Sequence, residues 1–587
     1  MNKSLGRKLA CLNQLSMTKK TWLVIISLLV GLIFSIPNLV PFVTAVNRHD
    51  IIFTPLNGGD ENLYASQIKQ ILDKKYSSLS PHLPWFGPIV LAGLVKIIGS
   101  IDLVFILADF LFPIIIFLLL YKLVFQITKH FSGSILAGLS TLFLYHLTTK
   151  FPPINLTRLQ KFWETLTLST PYFFSFNRLI PPQLTFIIFS LFLINLYQSI
   201  TQSRKIFPIL TGLLAGLLAY NYFFEWSAAL VILGLSFIFF RSRRLGLALI
   251  IALIISTPYL YQALYLSSLD TQIMFGRING RFFEPLTTFR YLIFSLLVFF
   301  YSPKKLKYFL LSLALAPVFL MNQQLITGLT IHPGHWLYGV FEPLAPLIVL
   351  IILSTTFKSW FEDNYKTGLL VIPILIYALV NQFKITLEGQ SLNYLKPEET
   401  KLFNWLETQS SPGVVLTLDK RLNRYLAVYS PDDLYLPYGS YSRLSLDQLW
   451  QKINLAFFIY QLSPEAITQT LSSTQFIGQM FDQAYNYHKL SNLNGLIFPD
   501  QVKAKIIKQS PVLTLGTRYL PDNLKQLSLE KTLSLTKDNL CDFALNYVIL
   551  GELENNLSAQ LDQSIFSLSY QNPQFQVFKL KPEVCYE

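Results

Sequence analysis

Charge is scarce in this chain: 14% of its 587 residues are Asp, Glu, Lys or Arg, against 52% hydrophobic. Soluble domains devote about a quarter of their residues to charge, so a water-soluble globule is excluded for most of the length. Acidic residues are scarcer still, 33 against 47 Lys and Arg, which leaves a formal net charge of +14. That excess does not point to nucleic acid, because the basic residues come in short clusters between apolar runs, the pattern that fixes orientation in a bilayer. Only three cysteines are present, which excludes a disulfide scaffold. Cys11 lies in the basic N-terminal segment, whereas Cys541 and Cys585 could pair if their region is extracytoplasmic. Internal repeats and low-complexity tracts are lacking too, and the first apolar run comes without a small-residue cleavage site, which predicts an uncleaved first membrane helix.

Long apolar segments are what the chain has instead. They run roughly over 22–44, 101–121, 132–149, 183–200, 207–222, 225–240, 245–266, 288–301, 308–322, 340–357 and 367–383, about eleven spans, several shorter than the ~20 residues of a perpendicular crossing. WFGPIVLAGLVKIIGS, Trp85 to Ser100, carries a Lys and two inner glycines and reads as an interfacial or re-entrant helix; if it crossed, every later orientation would flip. With the N-terminus inside, Lys19, Lys20, Lys122, Lys129, Arg204, Lys205, Arg241, Arg243, Arg244, Lys304 and Lys305 fall in short inner segments, as the positive-inside rule asks. Asp50, Asp60, Glu61, Asp73, Glu164, Glu225, Asp270, Glu284 and Glu342 then lie in outer loops or at outer helix ends. The long loops, 45–84, 150–182, 267–287 and 323–339, are outer ones, and long loops in compact proteins are commonly functional.

The expected fold is therefore a polytopic α-helical membrane protein, about eleven transmembrane helices in residues 1–383. An odd number of spans puts residues 384–587 outside as a soluble α/β domain. There PEETKLFNWLETQ and SPEAITQTLSS read as helices, the second with a Ser cap, and VVLTL, NYVILG and FQVFKL as strands. The expected location is the cell membrane, N-terminus cytoplasmic and tail extracytoplasmic.

Candidate chemistry gathers in the outer segments. In NGGDENLYASQI, Asp60 and Glu61 follow two glycines and open an amphipathic helix. Capping explains one carboxylate, since Asp at a helix start satisfies free amides and favours the dipole; it explains the pair, the glycines and Tyr64 less well. NQQLITGLTIHPGHW has no Lys, Arg, Asp or Glu, yet offers Gln324, His332, His335 and Trp336. The two His suggest zinc, but Pro333 and Gly334 deny them helical spacing and no third ligand is nearby. Hydrogen bonding to a sugar or phosphate with Trp336 as an apolar platform, or a plain interfacial aromatic with solvated His, are the other readings. Glu225 in NYFFEWS either lines a cavity or caps a turn, being costly at that depth unless paired or wet. Arg277, Arg281 and Glu284 could meet lipid headgroups or a donor.

An acidic pair in the first extracytoplasmic loop, just after the first membrane helix and followed by Tyr and a helix, resembles the signature of GT-C type glycosyltransferases, multi-spanning enzymes that use polyprenyl-phosphate sugars. The nearest resemblance is to the bacterial branch related to mannosyltransferase and RgtA/B/C/D-like proteins, and YSPDDLYLPYG and the ending NYVILG through NPQFQVFKL are similar to the tails of such proteins. The resemblance implies inverting transfer of a sugar from a polyprenyl phosphate to a glycan, lipid or protein acceptor at the outer face. Asp60 would be the general base, with Glu61 orienting the acceptor or sharing a divalent cation, Mg²⁺ or Mn²⁺, with Asp60. Arg178 in FSFNRLIPPQLTF would bind the leaving phosphate bidentately, unless it snorkels to headgroups. A flippase or transporter of lipid-linked saccharides and a non-catalytic scaffold are the alternatives. A transporter would place charges near helix centres, and here the ionisable groups collect at one face.

Overall fold

The structure is a computed structural model that describes residues 17–47, 52–55, 59–74, 86–148, 164, 174–274, 283–327, 333–362, 364–389, 394–437, 444–481 and 519–585. Eight helices in it are long and apolar enough to cross a membrane. These include α1 (Met17–Asn47), which runs on through Pro37 and Pro41, and α4 (Ile101–Thr128), entered through Ser100, whose hydroxyl accepts the Leu103 amide. Three further expected spans appear as shorter apolar helices, α5 (Phe131–Phe143), α7 (Ile206–Leu217) with the 3₁₀ turn that extends it, and α10 (Pro285–Tyr301). Eight and three together account for the eleven apolar segments. The remaining long spans named below are α6 (Thr185–Thr201), α8 (Phe223–Phe240), α9 (Arg243–Met274), α11 (Lys307–Leu320), α12 (Glu342–Thr356) and α13 (Asn364–Gly389). Phe117, Phe143, Phe189 and Phe192 belong to the core shared by this bundle.

Contacts between segments fix which helix ends lie together. Strand β1 (Ile52–Phe53), just past α1, pairs antiparallel with β2 (Tyr394–Leu395), just past α13, with Ile52 opposite Leu395. Helix α2 (Gly59–Leu72) packs against α15 (Lys420–Tyr429) of the tail, and Val428 enters the cluster formed by Leu63, Tyr64 and Ile68. The Tyr429 hydroxyl donates to Asp102 in the first turn of α4 at 2.9 Å. So the end of α1, the start of α4 and the tail share one face, and the total number of crossings is odd. Helix α3 (Phe86–Ile98), lying between α1 and α4, therefore does not cross. At the opposite face Arg244 donates to the Gln202 carbonyl at 2.9 Å. Two connections there turn on basic residues in left-handed conformation, Lys129 (φ 65°) and Arg241 (φ 46°), each placing a cation at a helix C-terminus.

The tail carries a five-stranded sheet in the order β4–β3–β5–β7–β6, where β3 is Val414–Leu416, β4 Asp433–Leu434, β5 Tyr547–Leu550, β6 Phe566–Gln571 and β7 Gln576–Leu580. β3 runs parallel to β4 and β5, while β7 is antiparallel to β5 and β6. Strand β5 is buried on both faces: Val548 and Leu550 join one core, Tyr547 and Ile549 the other, as a central strand between helix layers must be. The expected helices are α14 (Pro397–Glu407) and Pro464–Ser472, the latter capped by Ser463. Cys541 is disulfide-bonded and its sulfur lies 3.6 Å from the carbonyl of Val584, the neighbour of Cys585.

Burial and the adjacent Asp102 carboxyl hold the Tyr429 hydroxyl protonated far above the ordinary tyrosine range, so it serves as a donor throughout physiological pH. Tyr429→Phe is expected to weaken docking by about 1–2 kcal/mol, read as a lower melting temperature and faster proteolytic release of the tail. Unchanged protease resistance would remove this bond from the docking contact.

Candidate functional site

Two departures from α-helical geometry face each other at the end of the bundle where α2 and the tail lie. The first is a π-helical turn, Leu179–Leu184, in which the Gln183 amide reaches the Arg178 carbonyl five residues back at 3.2 Å. Pro182 lies inside this turn; a proline cannot donate to the helix ladder, so the wider turn suits it. The second is the π-helical turn Leu337–Phe341, which follows a one-turn helix, Pro333–Trp336. π-turns are rare and concentrate at functional sites.

Between them lies a cavity of about 270 Å³ lined by Ser175, Arg178, Pro182, Tyr222, His335 and Tyr338, with Gly334 and Gly339. Arg178 heads the first turn and is half-buried. The Tyr222 hydroxyl and His335 Nδ1 form a hydrogen bond of 2.5 Å, and the imidazole stacks on Phe224 with ring centres 4.6 Å apart. Ser175 is held by Tyr145, whose hydroxyl donates to Ser175 Oγ at 2.9 Å. The cavity thus offers a guanidinium, two hydroxyl-bearing rings and an imidazole, a set of donors suited to an anion.

Helix α2 packs on the outside of the first turn, where Leu63 and Tyr64 meet Leu179 and Ile180. Asp60 is the second residue of this helix, and its side chain lies outside the described set. Glu61 is buried, 1% exposed, and Tyr64 is buried beside it. Helix α3 comes close enough to the turn that a Cβ on Gly87 would stand 2.8 Å from Ile180 and 3.4 Å from the Asn221 amide oxygen.

The structure brings Arg178 and His335 into one cavity although 157 residues separate them. Trp336, expected as an open platform, is packed in the core instead: it is 1% exposed and its indole N–H donates to Ser227 at 2.9 Å. Gln324 is buried too, donating to the Met321 carbonyl at 2.9 Å, and is not among the residues lining the cavity. Glu225 lies behind the first turn, fully buried, accepting from Thr185 Oγ1 at 2.7 Å. Pro333 does begin a helical turn, against the expected break, because proline is accepted at the first helical position. His332 lies outside the described residues, as do Arg277 and Arg281; Glu284 caps α10, taking the amides of Thr287 and Thr288. Among the described residues no three His, Cys, Asp or Glu side chains converge as a metal site.

Sequence reasoning missed Tyr222, Tyr338 and, most plainly, Asp109. This aspartate sits inside the second span, 2% exposed, and accepts from Asn38 Nδ2 at 2.8 Å and Gln183 Nε2 at 3.0 Å. A carboxyl enclosed within an apolar helix is itself a signal, because such groups are costly in hydrocarbon and mark function.

No protein-family model and no curated protein matches this chain. Among solved structures it is similar to ArnT from Cupriavidus metallidurans, crystallised bound to undecaprenyl phosphate. The identity is 10%, the TM-score is 0.48, and the likeness covers 97% of this chain and 99% of that one.

The packing of Trp336 makes a direct test. Trp336→Phe removes the indole donor and leaves buried space, so the melting temperature should fall by the equivalent of about 1–3 kcal/mol. A variant that melts like the parent yet binds saccharide less tightly would restore the platform role.

Proposed function

We propose that the protein is an integral membrane glycosyltransferase that moves a sugar from a polyprenyl-phosphate donor to a glycan, lipid or protein acceptor at the outer face. The observation that carries this reading is the cavity at the outer helix ends, where Arg178, Tyr222 and His335 converge beside the helix that opens with Asp60 and Glu61. A membrane-borne phosphate arrives at that depth, and a guanidinium with hydroxyl and imidazole partners is suited to hold it. The disulfide at Cys541 supports an extracytoplasmic tail, since such bonds persist in oxidising compartments.

In the proposed step the acceptor hydroxyl oxygen bonds to the anomeric carbon, its proton passes to Asp60, and the bond from that carbon to the phosphate oxygen breaks. The lipid phosphate leaves with the electron pair and is held at Arg178. A single base suffices, because the leaving phosphate needs no proton. A divalent cation on Asp60 and Glu61 would draw on one enclosed carboxylate, that of Glu61. No step is assigned to one. Glu61 is better suited to orienting its neighbour.

Transfer from a polyprenyl-phosphate sugar by purified protein in nanodiscs tests the reading. Asp60→Asn should lower the rate about 10²- to 10⁴-fold with little change in melting temperature, because Asn caps a helix about as well as Asp. Undiminished transfer by a stable Asp60→Asn protein would leave Asp60 as a helix start. Arg178→Lys keeps the charge without the fork, so donor affinity should drop; unchanged donor affinity in Arg178→Ala would assign the residue to the lipid interface. For orientation, in a Cys11→Ser background, Ser569→Cys should react with an impermeant thiol reagent on intact cells while Ser242→Cys stays protected. The reverse labelling would put the cavity on the cytoplasmic side.

A further inference from the structure

The carboxyl of Asp109 joins three separate pieces of the molecule. It belongs to α4, it takes the amide of Asn38 from α1, and it takes the amide of Gln183 from the π-turn that Arg178 heads. Gln183 Nε2 also donates to the Phe176 carbonyl at 2.8 Å, closing the chain just before Arg178. Two residues further on, Thr185 donates to the second buried carboxyl, Glu225 of α8. The C-terminal end of the turn that Arg178 heads is thus fastened twice, once to α4, which also holds α1, and once to α8.

This arrangement is expensive. Asp109, Gln183, Asn221 and Glu225 are all buried, and Gln183 Oε1, Glu225 Oε2 and both polar atoms of the Asn221 amide have no hydrogen-bond partner among the described residues. Apolar side chains there would spare the protein that cost, so packing alone does not account for the polar set. The opposite wall repeats the construction: the π-turn Leu337–Phe341 ends against Glu342, which pairs with Arg290 at 3.7 Å, and starts beside Trp336, fastened to Ser227.

We infer that Asp109 is a positioning residue for Arg178: through Gln183 it fixes the π-turn against α1 and α4, setting where the guanidinium stands in the cavity. The inference rests on the reading of Arg178 as the phosphate-binding group. An amide cannot replace the carboxyl, since Asp109 accepts a hydrogen bond from an N–H on each side while Asn has a single acceptor oxygen. Asp109 itself does not line the cavity.

The test is a double-mutant cycle on the full-length protein in nanodiscs, reading the Kd for decaprenyl phosphate with the melting temperature beside it. Asp109→Asn cuts the link at the carboxyl and Gln183→Met cuts it from the turn; the latter leaves the bond between α1 and α4 in place and carries the test where Asp109→Asn does not fold. Each should weaken decaprenyl phosphate binding about tenfold when Arg178 is present and less than about twofold in an Arg178→Ala background, the coupling expected of residues that act as one unit. Equal losses in both backgrounds, or no loss with Arg178 present, would overturn the positioning role while leaving Arg178 as the phosphate group. If Arg178→Ala binds decaprenyl phosphate as the parent does, the phosphate reading itself fails and the inference falls with it.

Discussion

Inside a bilayer a backbone that leaves the α-helical pattern must find its hydrogen bonds within the protein, because hydrocarbon supplies none. Both walls of the cavity are such departures, and the side chains behind them follow from that constraint. The π-turn at Leu179–Leu184 keeps its ladder by reaching five residues back, from Gln183 to the Arg178 carbonyl, while the Gln183 side chain takes up the Phe176 carbonyl. An amide so engaged needs an acceptor for its other proton, and Asp109 supplies it. A half-buried guanidinium at the head of such a turn has less freedom than one at the end of an ordinary surface helix.

The first outer loop is constrained in a different way. Its helix α2 is sandwiched between α3 and the π-turn on one side and α15 of the tail on the other, with Tyr64 and Val428 in a single cluster. The tail is tied to the same place twice more, through the β1–β2 pair and the Tyr429–Asp102 bond. The tail therefore backs the helix that opens with the acidic pair, and the enclosure of Glu61 follows from that packing.

Much of the scaffold was legible because it depends on composition along the chain. Each of the eleven apolar segments is a helix, and Arg178, Tyr222 and His335 gather at one end of the bundle. The tail strands read from VVLTL, NYVILG and FQVFKL are β3, β5 and β7, since β-branched and aromatic runs between turns carry a local signal. Span lengths were less legible: the segment expected over 132–149 breaks at Leu144 into α5, of 13 residues, and a one-turn helix, Tyr145–Thr148. The site was legible only in part. Nothing local tells that Trp336 turns inward to Ser227 while His335, one residue earlier, turns to the cavity; the π-turn that begins at Leu337 decides it.

Asp109 shows why reading charges by loops alone falls short. Sorting the acids by connecting segment passes over a carboxyl inside α4. Helices rise 1.5 Å per residue, so Asp109 lies about 10 Å along the helix from Asp102, nearer the end that meets the tail than mid-span. That depth separates it from the charges expected of a transport path, which sit near helix centres. Of its two amide partners, Gln183 belongs to a wall of the cavity and Asn38 to α1, so the polarity buried within the bundle ties that wall to the helices behind it.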